Sequence, residues 1–105
     1  MDVTLEEALD VLRQARGLLV RSGWVQGKMA SDGIWEVPYY SPKATCYCAS
    51  GAVFRVAPGE VAYAALTLLE RGASTGAIVP WNDELGRTKA EVIQAFDLAI
   101  LHYTQ

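Results

Sequence analysis

The sequence predicts a compact, mainly α domain of four helices over residues 1–105, with a short β-hairpin or irregular segment after the first helix. Three observations predict it. Four segments carry apolar residues at helical spacing; two of them begin with a Thr-x-x-Glu capping box; and residues 24–45 break the pattern with aromatics, Gly, Ser and Pro. At 105 residues and 51% hydrophobic, the chain is long enough to bury a core without disulfide or metal support.

The first helix is read from Thr4 to about Ser22, where Leu5, Ala8, Leu9, Leu12, Ala15 and Leu19 recur on one face. Thr4 with Glu7 forms the capping box and Gly23 is the expected stop. Asp2, Glu6, Glu7 and Asp10 precede Arg13, Arg16 and Arg21, a gradient that complements the helix dipole. Gly17 inside this helix suggests a close crossing with another element.

In the excursion, two apolar runs, Trp24 to Ala30 and Ile34 to Val37, flank Ser31-Asp32-Gly33, as in a small hairpin or ordered loop. Pro38 and Pro42 around Tyr39 and Tyr40 keep the backbone extended until about Ala44. Thr45 to Val56 reads as a buried helix, its small residues Cys48, Ala49 and Ala52 permitting close approach. Ala57-Pro58-Gly59 breaks it, and Glu60 to Arg71 forms the third helix with Val61, Ala64, Ala65, Leu68 and Leu69, ending at Gly72. Ala73 to Pro80 reads as a linker and Trp81 to Thr88 as a polar turn, where Gly86 can take positive φ. Thr88 and Glu91 open the last helix, Lys89 to about Tyr103, with Val92, Ile93, Phe96, Ala99, Ile100 and Tyr103 on its stripe.

Nine basic and twelve acidic residues give a net charge of −3, without a basic run that would track a phosphate backbone, so direct nucleic-acid binding is not expected. No apolar run approaches the roughly 20 residues needed to cross a bilayer, and the acidic start lacks the order of a secretory signal, so a cytoplasmic protein without membrane contact is expected. Cys46 and Cys48 flank Tyr47, too close for an unstrained disulfide, which suits a reducing compartment.

Chemistry-bearing residues are few. Two Cys and one His fall short of a zinc set, and no metal or cofactor is expected. A cysteine enzyme would need His102 as base for Cys48 or Cys46, with Asp83 or Asp97 as orienter. Against it, free Cys packs well as a small hydrophobe, and a C-terminal His suits the helix dipole. Asp97 lies off the stripe, placed to pair with Arg87 or a neighbouring helix. The aromatics Trp24, Trp35, Tyr39, Tyr40 and Trp81 cluster in the non-helical parts, where they either plug a small core or form a binding surface.

Cys-x-Cys-Ala-x-Gly-Ala at 46–52, Trp-Asn-Asp-x-x-Gly-Arg-Thr-x-x-Glu-Val at 81–92 and Phe-Asp-x-Ala-Ile at 96–100 together resemble an uncharacterised family of small bacterial and phage proteins, known only as a domain of unknown function. The resemblance brings no catalytic residues; what it implies is a mobile-element setting, in which small acidic proteins often inhibit one host protein, as anti-CRISPR proteins do. The expectation is a non-catalytic protein-binding module, monomeric or weakly dimeric. Its host partner would meet Trp24, Trp35, Tyr39, Tyr40, Trp81, Asn82, Asp83 and Arg87.

Overall fold

The computed structural model describes residues 2–105 and contains, among them, five helices and a small three-stranded sheet. Helix α1 (Leu5–Arg21) starts at the expected capping box: Thr4 Oγ1 accepts the Glu7 N–H at 3.1 Å and Glu7 Oε1 accepts the Thr4 N–H at 3.0 Å. Ala8, Leu9, Val11, Leu12, Ala15 and Leu19 are buried, while Leu5, in the first turn, is exposed.

Strand β1 (Gly23–Trp24) follows, then β2 (Ala30–Ser31) and β3 (Cys46–Tyr47), in spatial order β1-β3-β2. β3 runs parallel to β1 and antiparallel to β2, with Gly23 opposite Cys46 and Ala30 opposite Tyr47. The hairpin expected around Ser31-Asp32-Gly33 is present as a single Ser31–Glu36 bridge with a Val37 N–H to Ala30 C=O bond. Its first arm pairs mainly with β3, so Thr45 to Cys48 is not helical as expected. Helix α2 (Ala49–Val56) begins after Cys48, which caps it.

Helix α3 (Gly59–Ala73) overruns the predicted stop. Gly72 lies within it, and a Cβ there would strike the Ala95 carbonyl and Ala99 of the last helix. Gly72 is thus a close-crossing glycine between two helices, on the most extensive helix pair of the fold. Among the described residues the only group close to a Cβ at Gly17 is the end of the Arg21 side chain, so the crossing expected there does not occur. Ser74 takes the left-handed C-cap instead, at φ 55°.

Residues expected to be linker and turn form a fifth helix, α4 (Ile78–Asp83). Pro80 lies in its first turn, where a missing N–H costs no helical bond, and Glu70 accepts the Ile78 N–H at 3.1 Å. Gly86 has φ 87°, and α5 (Lys89–Thr104) starts at its capping box, Thr88 with Glu91. α1 packs on α2, α3 and α5, and one apolar cluster joins Leu12, Leu19, Val53, Leu69, Val92 and Phe96. No helix among the described residues is long and apolar enough to cross a membrane.

Candidate protein-binding surface

The eight residues singled out in the sequence divide into an internal brace and an outward face. The brace is centred on Asn82, only 1% exposed. Its Oδ1 accepts Trp24 Nε1–H at 2.8 Å and the Ala49 N–H at 3.0 Å. Its Nδ2 donates to the Val25 carbonyl at 3.2 Å and to Asp83 Oδ1 at 2.9 Å. One amide side chain therefore ties α4 to the excursion and to the first turn of α2, with its donors and acceptor used. Asp83 Oδ1 also accepts the Gly27 N–H at 2.9 Å, and Gln26 Nε2 donates to the Asn82 and Glu84 carbonyls.

Arg87 completes the brace. Its guanidinium lies over the Trp81 ring, 4.1 Å from the centroid, its Nε donates to the Trp81 carbonyl at 2.9 Å, and it pairs with Glu84 and Glu91. Asp97 pairs with Arg16 of α1, not with Arg87. Of the proposed contact residues, then, Asn82 is turned inward, and Trp24, Trp81 and Arg87 are half-buried and engaged within the molecule. Asp83 is exposed as a residue, with its Oδ1 engaged by Gly27 and Asn82.

The outward face comes from the excursion. Trp35 is 72% exposed, Ile34 80% and Tyr40 69%. Their backbone is held firmly: Asp32 Oδ1 accepts the N–H groups of Ile34 (2.8 Å) and Trp35 (2.7 Å), the Asp32 N–H and Ser31 Oγ–H both donate to the Trp35 carbonyl, and Ser31 is buried. The Trp35 and Ile34 N–H groups hold the Asp32 carboxyl below its ordinary value. Tyr39 is half-buried and starts a row of rings. It meets Tyr40 at 5.3 Å edge-on and Phe54 at 5.7 Å, and Phe54 meets Tyr63 at 5.3 Å, again edge-on. Ile34 and Tyr63 were not among the residues expected to bind. Tyr63, 64% exposed, falls off the stripe Val61, Ala64, Ala65, Leu68 and Leu69, and that departure is its signal in the sequence.

The cysteines lie apart from the only histidine. Cys48, 3% exposed, caps α2 by accepting the Gly51 N–H at 3.2 Å and touches Met29 Sδ at 3.8 Å. Burial pushes its thiol up, outweighing the Gly51 and Ser50 N–H groups that favour the thiolate. It lines a cleft of about 240 Å³ with Met29, Glu36 and Asp83 among its walls. His102 is exposed near the end of α5, packs edge-on to Tyr103, and lines a different groove with Arg71 and Leu98. Cys46 is directed to the Ser31 carbonyl. Neither thiol is brought to His102, and among the described residues no group of three His, Cys, Asp or Glu is placed to hold a metal ion.

A family of unknown function, DUF6197, matches residues 3–102. The chain belongs to DUF6197. Neither a curated protein nor a solved structure matches it. In this DUF6197 chain the polar side chains of the motif Trp81-Asn82-Asp83 through Thr88 are engaged within the molecule: Asn82, Asp83 and Arg87 bond backbone groups, Glu84 pairs with Arg87, and Thr88 caps α5.

Proposed function

We propose that this DUF6197 chain is a non-catalytic protein-binding module whose anchor is the Ile34–Trp35 turn, with Tyr40 extending the contact. The observation that carries this reading is a tryptophan 72% exposed on a turn in which the N–H groups of Asp32, Gly33, Ile34 and Trp35 and the Trp35 carbonyl are all hydrogen-bonded. Leaving a large indole in water forgoes burial worth roughly 1.5–3 kcal/mol for a side chain of this kind, and a rigid loop loses little further freedom on binding. Rigid, protruding Trp and Tyr side chains are the usual anchors of protein interfaces. A mobile-element setting, as the resemblance implies, would give this role a specific form, in which the partner is a host defence protein and the module an inhibitor of it.

The test is capture of partners from host-cell lysate by tagged wild type and by Trp35→Ala, with circular dichroism to confirm that both fold. A stoichiometric partner lost with Trp35→Ala supports the reading. Equal capture by wild type, Trp35→Ala and Ile34→Ala overturns it.

A further inference from the structure

We infer that the aromatic row Tyr40–Tyr39–Phe54–Tyr63 docks an extended, proline-rich peptide carrying a carboxylate that pairs with Arg55. This rests on the protein-binding reading and names a partner chemistry for a neighbouring face.

The rings are spaced 5.3–5.7 Å apart, and both end pairs are nearly perpendicular, at 87° and 80°. Edge-on pairs leave steps between ring faces. The terminal rings Tyr40 and Tyr63 are exposed, whereas Tyr39 and Phe54 pack against the core and fix the row. Proline rings fit such steps, and a polyproline II segment makes no internal hydrogen bonds and is already extended, so docking it orders little. The row lies outside the three strands and offers no sheet edge for a strand to join.

Charge selects the peptide further. Arg55 donates through Nη1 to the Tyr39 carbonyl at 3.3 Å and the Ser41 carbonyl at 3.1 Å, which anchors it beside the Tyr40 end of the row. Among the described residues its Nε and Nη2 make no hydrogen bond and it has no carboxylate partner. A guanidinium held through one nitrogen, with two further donor nitrogens free, suits a carboxylate.

The experiment is an amide-detected NMR titration of the full chain with the acetylated octapeptide Pro-Pro-Glu-Pro-Pro-Glu-Pro-Pro, with the same peptide bearing Gln for Glu, and with a thymidine oligonucleotide. Saturable shifts confined to Tyr39–Ser41, Phe54–Arg55 and Tyr63 are expected. Tyr63→Ala should weaken binding about tenfold, as for an interface anchor. Arg55→Gln should weaken the Glu peptide roughly fivefold, the upper range for an exposed ion pair, and leave the Gln peptide unchanged. Absence of saturable binding, equal affinity for the two peptides, indifference to Tyr63→Ala, or occupancy of the row by the oligonucleotide alone would each overturn the inference. Neither Tyr63 nor Arg55 belongs to the Ile34–Trp35 turn, so failure here leaves Trp35-dependent capture a separate question.

Discussion

Replacing Asn82 with Ala removes the side chain on which the excursion, α2 and α4 converge. The variant leaves the buried Ala49 N–H without its acceptor, strips Trp24 Nε1–H of its partner and frees the Val25 carbonyl. A buried polar group left unpaired costs about 1–3 kcal/mol, and Trp24, being half-buried, recovers part of its loss through water, so the total is about 2–5 kcal/mol. For a domain near 100 residues that corresponds to a melting temperature lower by roughly 10–25 °C. Thermal unfolding followed by circular dichroism and tryptophan fluorescence measures it, with the fully exposed Leu85→Ala as a neutral control. Asn82→Asp adds a pH signature. It keeps the acceptor for Trp24 and Ala49 but places a carboxylate against the Val25 carbonyl and Asp83. Its folded carboxyl would lie above the unfolded value, so this variant should be most stable at low pH and lose stability as pH rises through that raised value. A loss below about 1 kcal/mol for Asn82→Ala, under the cost of one unpaired buried group, would refute the reasoning.

Two glycines should respond in opposite directions to the same change. Gly72→Ala forces a Cβ into the Ala95 backbone and should destabilise by about 1–3 kcal/mol, whereas Gly17→Ala meets only the mobile end of Arg21 and should stabilise by about 0.5–1 kcal/mol; denaturant unfolding distinguishes them. The depressed Asp32 carboxyl helps hold the Ile34–Trp35 turn above the ordinary value of 3.8, and that help is lost as pH falls through the lower folded value. An NMR pH titration should show the Trp35 and Ile34 amide signals moving together, below pH 3.8, with no such transition in Asp32→Asn. In the folded protein Cys48 should alkylate with iodoacetamide far more slowly than a free thiol, and Cys46, half-buried, should react ahead of it. Rapid modification of Cys48 would instead favour the cysteine-enzyme reading.

The helices legible in the sequence were those whose information is local. α1 and α5 announce themselves by capping boxes and apolar stripes, and both begin where the boxes place them. α4 was hidden because six residues are too few for a periodicity, and because Pro80 reads as a breaker unless its place in a first turn is known. Gly72 carries the same ambiguity: a glycine after a helical stripe signals either a stop or a close contact, and only the position of α5 decides. Which of the candidate contact residues face solvent was legible in part. Trp35 and Tyr40 were chosen for their residue type and setting, and they are exposed; Asn82 and Arg87, chosen on the same grounds, serve the interior. Polar side chains in a motif look alike whether they face a partner or the protein's own backbone, because the difference lies in contacts such as Asn82 to Ala49, 33 residues apart in sequence.

The division of labour between Asn82, which holds the fold, and Trp35, which faces outward, is tested most directly by measuring partner capture and melting temperature together for wild type and Trp35→Ala. The indole is mostly in water, so the variant should melt within a few degrees of wild type, consistent with surface substitutions that change stability by about 0.5 kcal/mol or less, and it should lose its partner. A variant that melts much lower while keeping its partner would show that Trp35 serves the fold and that the binding surface lies elsewhere.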